Sequence, residues 1–225
     1  MNCSNHIEMV IKPYEVPQII DFAYNTIQDN NLFIDLADDI GYFNLKEMDI
    51  RRHGGHQNGL WLGCPAGKEV LGIRANGDIY GCLSIRDEQF REGNIRDMPT
   101  RQLWTRPGAF SWNRNLSREQ LTGFCGKCQY GSFCLGGCTG AKLTLNKNIY
   151  ENNYCLFKIF IEKEKENICK ITSIDTIISK AKKHLDSEEY QMSELCLSRA
   201  RTLDRNNIEV IELADSLNNL MNGIL

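Results

Sequence analysis

The stretch FCGKCQYGSFCLGGC, residues 124–138, decides the fold, because it places four cysteines and four glycines within one short segment. The cysteines are Cys125, Cys128, Cys134 and Cys138. Thiols at this spacing can clamp zinc, form disulfides or hold an iron-sulfur cluster. The composition of the whole chain and the positions of its other cysteines distinguish these three alternatives.

Length, composition and charge restrict the class of protein. The 225 residues, of which 42% are hydrophobic, allow one sizeable domain or two to three small ones with an ordinary buried core. The net charge of -3 and the absence of a basic stripe exclude nucleic acid as an expected partner. No window approaches the roughly 18 apolar residues of a membrane span, and the start MNCSNHIEMV has no signal-peptide pattern. We therefore expect a cytoplasmic protein with no membrane partner.

The ten cysteines are interpreted in that context. In a secreted chain so many thiols would indicate a disulfide framework. In a reducing compartment they more often bind metal or perform redox chemistry. Metal binding is therefore the default prediction.

Seven of the cysteines form one ordered pattern. Cys64 and Cys82 precede the quoted stretch, and Cys155 follows it. Only Cys125 and Cys128 form a pair with zinc-ribbon spacing, and seven ligands cannot be divided into complete sets of four. A zinc module is therefore the less favoured alternative. The interspersed glycines suit an iron-sulfur cubane, since they let the backbone approach its sulfides.

The complete spacing resembles the seven-cysteine signature of the SPASM domain, the C-terminal auxiliary iron-sulfur domain of radical S-adenosylmethionine (radical SAM) enzymes that mature peptides and sulfatases. It runs Cys64-x12-Gly77-x4-Cys82, a gap, C-x2-C-x5-C-x3-C and, after sixteen intervening residues, Cys155. The neighbouring FREGNI, LW and LGGC are also similar to such domains. The resemblance covers residues 61–157.

The resemblance implies two 4Fe-4S clusters with interleaved ligands. The first would take Cys64, Cys82 and Cys138, and the second would take Cys125, Cys128, Cys134 and Cys155. Some relatives have an eighth cysteine shortly after the first, but here that neighbourhood reads CPAGKEV. The first cluster is therefore expected to keep an open iron, which could bind substrate, water or another side chain.

Residues 1–60 predict one helix and one strand. YEVPQIIDFAYNTI places five small or apolar residues on one helical face: Ile19, Ile20, Phe22, Ala23 and Ile27. NLFIDLAD is a candidate strand, and the overlapping LADDIGYF lies where the resemblance expects the last strand of a partial TIM barrel. This segment is interpreted as a remnant of that barrel. The following DIRRHGGHQNG predicts a polar loop in which His53 and His56 are solvated rather than metal ligands.

The middle segment contains further local signals. In EVLGIRANGDIYGC, residues 70–74 and 79–82 flank Asn76-Gly77, which predicts a β-hairpin whose two turn residues both have positive φ. A short helix is expected to begin near Asp97 or Pro99. Beyond it, the spacing predicts irregular backbone held together by something other than an apolar core.

Residues 158–225 predict a helical extension. FKIFIEKEKENI is interpreted as a solvated helix or linker. The next segment resembles one tetratricopeptide (TPR) unit, with Arg205 where that pattern usually has proline, through Ala181, Tyr190, Ser193, Leu197, Ala200 and Leu203. A third helix is expected over about 208–222. Such a tail could be a cap docked on the rest of the chain or a surface for a partner.

The remaining cysteines and the aromatic residues near the signature receive separate predictions. Cys3 and Cys169 lie outside the pattern, and Cys196 is expected to be a small buried hydrophobic residue. Four aromatic residues are expected to exclude water from the clusters: Trp61, Phe124, Tyr130 and Phe133.

The expected fold class is α+β. The 225 residues contain no C-x3-C-x2-C motif, so the chain is not expected to cleave S-adenosylmethionine by itself. The leading hypothesis is the auxiliary-cluster part of a peptide maturase, with a radical SAM core polypeptide and a peptide or protein substrate as partners. The alternative is a separate iron-sulfur electron carrier or scaffold that docks a partner through its helical tail.

Overall fold

The computed structural model describes residues 10–30, 32–34, 36, 45–55 and 59–224. The chain divides into two compact units, residues 1–157 and 158–225. The first unit contains three short strands and seven helices of the described elements. These helices are Val16–Asn30 (α1), Leu45–His53 (α2), Thr100–Thr105 (α3), Ser111–Arg114 (α4), Gly123–Lys127 (α5), Gly131–Cys134 (α6) and Thr139–Asn146 (α7). Turns of 3-10 helix lie at Pro13–Glu15, Glu88–Phe90 and Arg118–Gln120.

Helix α1 buries a narrower stripe than its sequence predicts. The buried positions are Val16, Ile20, Ala23 and Ile27. Ile19 and Phe22, expected on the same face, are exposed, because a period of 3.6 places both of them beyond one edge of the stripe. In the following segment, residues 32–34 and 36 form no strand, and the rest of the predicted strand lies outside the described residues. The interpretation as a barrel remnant stays a prediction.

The loop predicted over Asp49–Gly59 is wrong for its first half. Residues 49–53 complete α2, in which Arg51 lies one turn after Glu47. Both side chains are fully buried and form an ion pair, a spacing that favours a helix. The Arg51 guanidinium also lies 5.3 Å from the Trp61 ring centroid. His53 ends the helix, and His56 lies outside the described residues.

The predicted hairpin is present, with a different turn. Strands Gly72–Ile73 (β1), Asp78–Tyr80 (β2) and Gly93–Asn94 (β3) form an antiparallel sheet in the order β1-β2-β3. Gly72 pairs with Tyr80, and Asp78 pairs with Asn94. The N–H groups of Arg74 and Gly77 donate to the carbonyls of Asp78 and Arg74 at 2.9 and 2.8 Å. Of Asn76 and Gly77, only Gly77 has positive φ, +89°. The connection is therefore a turn of three residues, 75–77, that ends in one left-handed glycine.

Asp78 fastens β3 to the hairpin. Its carboxylate accepts from Asn94 Nδ2 at 3.0 Å and from Arg91 Nε at 2.6 Å. The bond from Asn94, followed by that from Arg91, lowers the pKa of this carboxyl. The sheet thereby fixes the direction in which the chain leaves β2 toward Cys82.

The cysteine-rich segment is more regular than its spacing predicts. Helix α3 follows Pro99 as expected, and four further short helices span the region predicted to be irregular. Such short helices need no long apolar repeat when their side chains hydrogen-bond to backbone groups that are distant in sequence. For example, Arg114 donates from Nε to the Gly67 carbonyl at 2.6 Å and from Nη1 to the Trp104 carbonyl at 2.9 Å. The segment is a set of helical turns joined by left-handed residues.

The second unit is helical. Helix Leu156–Cys169 (α8) leads into Ile174–Asp186 (α9), Tyr190–Leu203 (α10) and Ile208–Ile224 (α11). Their core contains Ile177, Leu197 and Leu217, each fully buried. Of the six positions that carry the TPR resemblance, five are buried and Leu203 is half-buried, but the TPR interpretation stays a prediction. Among the described residues, no helix has the length and apolar character that a membrane crossing requires.

Candidate metal centre

Four cysteines from three helices or their ends line one pocket. Cys125 lies in α5, Cys128 caps the end of that helix, Cys134 ends α6, and Cys155 directly precedes α8. The pocket has an almost wholly apolar lining, completed by Phe124, Tyr130, Gly131, Gly136, Asn152 and Phe157. The structure thus brings together the four thiols that the resemblance assigns to the second cluster.

The backbone around this pocket donates to sulfur. The N–H of Tyr130 lies 3.4 Å from Cys128 Sγ, and the N–H of Asn152 lies 3.4 Å from Cys125 Sγ. Burial raises the pKa of the Cys128 thiol to about 12, and the bond from Tyr130 opposes this rise. Binding to a metal deprotonates such a thiol, and N–H groups that donate to the sulfur stabilise the resulting thiolate.

Aromatic rings cover one side of the pocket. Phe157 lies 5.8 Å from Phe124 and 5.2 Å from Tyr130, centroid to centroid, and Tyr130 lies 5.9 Å from Phe133. All three pairs are edge-to-face. Phe157 was missed in the sequence analysis, where its only signal was its place two residues after Cys155. Trp61 belongs to another cluster of side chains, the one that contains Cys64.

A second group of thiols forms around Cys64. Cys64 and Cys138 are both buried, although 73 residues of sequence separate them. A hydrogen bond from the Cys138 thiol is the largest cause that lowers the pKa of Cys64 to about 5, and backbone bonds from Thr139 and Ala66 add to it against burial. Cys138 is also the N-cap of α7, where its sulfur accepts from the Ala141 N–H at 3.5 Å.

Cys82 lies on a loop that approaches the start of α7. Its half-buried sulfur accepts from the Ser84 N–H at 3.5 Å. A Cβ on Gly140 would lie 2.9 Å from Ser84 Cβ and 3.7 Å from Cys138 Sγ. The close packing at Gly140 therefore holds the Cys82 loop near Cys138, and the assignment of Cys82 to the first cluster stays a prediction.

Asn113 positions the Cys64 segment. This fully buried side chain donates from Nδ2 to the carbonyls of Cys64 and Ala66 at 2.8 and 2.7 Å. Its role was missed in the sequence analysis, since Asn113 lies 49 residues from Cys64 and carries no local signal.

A tight turn directs Cys134 and Cys138 to different groups. Leu135, Gly136 and Gly137 have φ of +51°, +75° and +82°, three consecutive left-handed residues. A glycine adopts this conformation without strain, whereas leucine there is uncommon. The turn explains how two thiols four positions apart reach different surroundings.

Lys142 lies between the two groups of thiols. It is fully buried, and its Nζ donates to the carbonyls of Leu135 at 2.9 Å and Ile149 at 2.6 Å. Burial lowers the pKa of this lysine, and four thiols oppose the shift, those of Cys64, Cys125, Cys134 and Cys138. Lys142 has no signal of this role in the sequence, because a single lysine in a short helix normally indicates an exposed position.

The other cysteines are separate from these groups. Cys196 is fully buried in the core of the second unit, as predicted, and burial raises its pKa to about 11. Cys169 is exposed, and Cys3 lies outside the described residues. Over the described part of the chain, no three His, Cys, Asp or Glu side chains converge on the position of a single metal ion. Thiol donors supported by backbone N–H groups fit an iron-sulfur cluster.

Comparison with protein families identifies the domain. Residues 64–129 match the SPASM family, described as an iron-sulfur cluster-binding domain. The matched segment begins at Cys64 and includes Cys82, Cys125 and Cys128. This part of the chain is a SPASM domain.

Curated proteins with similar sequences are longer. The AdoMet-dependent heme synthase of Methanosarcina barkeri is 22% identical over 157 residues, 66% of this chain and 43% of that protein. The mycofactocin maturase MftC of Mycobacterium ulcerans is 36% identical over 80 residues, 35% of this chain and 21% of that protein. The chain therefore spans less than half the length of these relatives. No solved structure matches the chain significantly.

Proposed function

We propose, from the SPASM domain at residues 64–129, that this chain is the auxiliary-cluster portion of a radical SAM enzyme that modifies a peptide. The observation that carries the proposal is the sorting of the signature thiols. Four of them line one pocket, while Cys138 is not part of that lining and its thiol hydrogen-bonds to Cys64. Such sorting is what two separate clusters require of one short segment.

The proposed ligands follow that sorting. Cys64, Cys82 and Cys138 bind the first 4Fe-4S cluster, and Cys125, Cys128, Cys134 and Cys155 bind the second. When bound, these clusters supply one-electron transfer. The chain holds the sulfur ligands in place, donates backbone N–H groups to them and excludes water with the aromatic side chains of the pocket.

The first cluster has three protein thiols in this proposal. Its remaining iron would be open to a substrate group, water or another side chain. The backbone near Cys64 is fixed by Asn113, so the Cys64 thiol would be presented to the cluster by a fixed backbone.

The proposal assigns three parts to the chain. Residues 1–60 are the end of the radical SAM barrel, residues 61–157 are the SPASM domain, and residues 158–225 are a TPR-like extension. S-adenosylmethionine cleavage belongs to a radical SAM core outside these 225 residues, on the same or a partner polypeptide. A cytoplasmic location is part of the proposal, since thiol ligands suit a reducing compartment.

Two other functions each have an observation in their favour. The similarity to a heme synthase extends over 66% of the chain, which favours a tetrapyrrole substrate in place of a peptide. The separate apolar core of residues 158–225 favours an electron carrier or scaffold that docks a partner through this unit. The peptide assignment is preferred because the identity to the maturase is higher, 36% against 22%.

Anaerobic purification followed by iron and sulfide analysis tests the cluster assignment. We expect a brown protein with about eight iron and eight sulfide per chain, from two four-iron clusters. A colourless protein that contains zinc would contradict the proposal. Co-expression with a radical SAM core, followed by mass spectrometry of a peptide substrate and of a tetrapyrrole substrate, separates the two substrate classes.

A further inference from the structure

Lys142 is a buried cation at the centre of the SPASM domain. No part of its side chain is exposed. Taking an ammonium group out of water costs several kcal/mol unless opposite charge or strong hydrogen bonds compensate, so natural proteins rarely bury one without a reason. The groups around Lys142 should therefore show what offsets the free-energy cost of burying its charge.

Hydrogen bonds account for only part of that compensation. The ammonium has three donors, and two of them bind the neutral carbonyls of Leu135 and Ile149. No carboxylate of the described residues forms an ion pair with Lys142, whose electrostatic neighbours are four thiols. Those sulfurs become negative when they bind a metal as thiolates.

The position of the ammonium relates it to both groups of thiols. A Cβ built on Gly136 would lie 3.2 Å from Lys142 Nζ and 3.8 Å from Cys125 Sγ, so the absent side chain leaves room for both. Helix α7 carries Lys142 one turn after Cys138, and the N–H of Lys142 bonds to the Cys138 carbonyl at 3.0 Å. The ammonium therefore lies in the neighbourhood of Cys125 Sγ, and its own helix begins next to Cys138.

We infer that Lys142 is a positioning residue whose ammonium serves as one counter-charge shared by the two cluster sites and fastens the turn that separates Cys134 from Cys138. This inference rests on the proposed function, since it requires both sites to hold clusters. A fixed positive charge stabilises the reduced, more negative state of each cluster. It therefore raises both reduction potentials.

The test replaces the charge in the full chain. Lys142→Met removes both charge and donors, and Lys142→Gln removes the charge but keeps an amide donor. Lys147→Asn is the matched control, since Lys147 is exposed at the end of the same helix with φ +60°, a conformation that asparagine tolerates. Each protein is loaded with iron and sulfide anaerobically, and both reduction potentials are measured by electron paramagnetic resonance during a redox titration.

We expect both potentials to fall in the two Lys142 variants and to stay unchanged in Lys147→Asn. A tenfold lower ratio of reduced to oxidised cluster corresponds to a shift of about 59 mV for one electron. Unchanged potentials in iron-loaded Lys142→Gln, or a shift in only one cluster, would overturn the inference. Absence of iron from the wild-type chain would instead refute the proposed function.

Loss of iron from the variants is also decisive. If neither Lys142→Met nor Lys142→Gln retains iron, Lys142→Arg is loaded in the same way, since arginine keeps the charge and the donors. Iron binding by Lys142→Arg supports the counter-charge. Its failure to bind iron overturns the inference, because the site would then need the shape of lysine and not its charge.

Discussion

At the residue scale, Asn113 shows how the fold fixes a metal ligand without touching its sulfur. Its amide binds the carbonyls on both sides of Pro65, those of Cys64 and Ala66. These bonds define the backbone direction from which the Cys64 thiol enters its group.

Replacing Asn113 with alanine should destabilise the SPASM domain. Two buried carbonyls would lose their donor, which costs about 1–3 kcal/mol in the free energy of unfolding. Urea unfolding of the anaerobic, iron-loaded protein measures this change. Asn115→Ala is the control, because Asn115 is exposed at the end of the same helix. Equal stability of the two variants would show that the Asn113 amide does not anchor this segment.

Some site residues could be predicted from the sequence and others could not. The cysteines were predictable because their spacing is a local property of the chain, and the structure brings Cys125, Cys128, Cys134 and Cys155 around one pocket. Asn113 and Lys142 act through partners that only folding brings near, so their types and neighbours in sequence carry no signal. Phe157 had only a weak signal, its place two residues after Cys155.

At the element scale, the turn Leu135–Gly137 is the device that sorts the thiols. Gly136 has a positive φ, and a Cβ added there would lie 3.2 Å from Lys142 Nζ and 3.8 Å from Cys125 Sγ. A side chain at this position would be strained by its backbone and would also press on the Lys142 ammonium.

Gly136→Ala should therefore lower both stability and iron content. The positive φ costs an alanine about 1–2 kcal/mol, and the 3.2 Å approach to Lys142 Nζ adds to that. Gly108→Ala separates these effects, because Gly108 has φ +78° but no atom within 4 Å of the added Cβ. We expect similar backbone strain in both variants but loss of iron only in Gly136→Ala, measured by iron analysis. Full iron content in Gly136→Ala would contradict the role of this turn.

Elements differed in how well the sequence predicted them. The hairpin and helix α3 were predictable, because Asn76-Gly77 and Pro99 are strong local signals. The short helices of the cysteine-rich segment were not, since side-chain bonds to distant backbone, such as those of Arg114, replace an apolar repeat. The first half of the loop predicted over residues 49–59 is helical instead, because the buried ion pair Glu47–Arg51 stabilises helix α2 there.

At the scale of the whole molecule, the two units are stabilised by different means. The second unit has a continuous apolar core that includes Ile177, Leu197 and Leu217. The three apolar clusters described for the first unit are smaller, and they pack around the sheet and the cysteines. In our proposal, metal binding contributes the missing folding free energy of the first unit.

Removal of iron should therefore affect the units unequally. After treatment with a chelator and an oxidant, we expect amides in residues 123–155 to lose protection against hydrogen exchange, while those in 174–217 keep theirs. Hydrogen exchange read by mass spectrometry of peptides compares the loaded and depleted protein. Equal loss of protection in both segments, or none in either, would contradict this division.

The central claim is that residues 124–138 supply ligands to two clusters. The iron content of double cysteine variants tests it most directly. Cys128→Ala combined with Cys134→Ala should leave about four irons per chain, since both ligands belong to one cluster, and Cys134→Ala combined with Cys138→Ala should leave almost none. Cys169→Ala, at an exposed cysteine outside both groups, should keep the full content. Equal iron content in the two double variants would place all four thiols in one site and contradict the account.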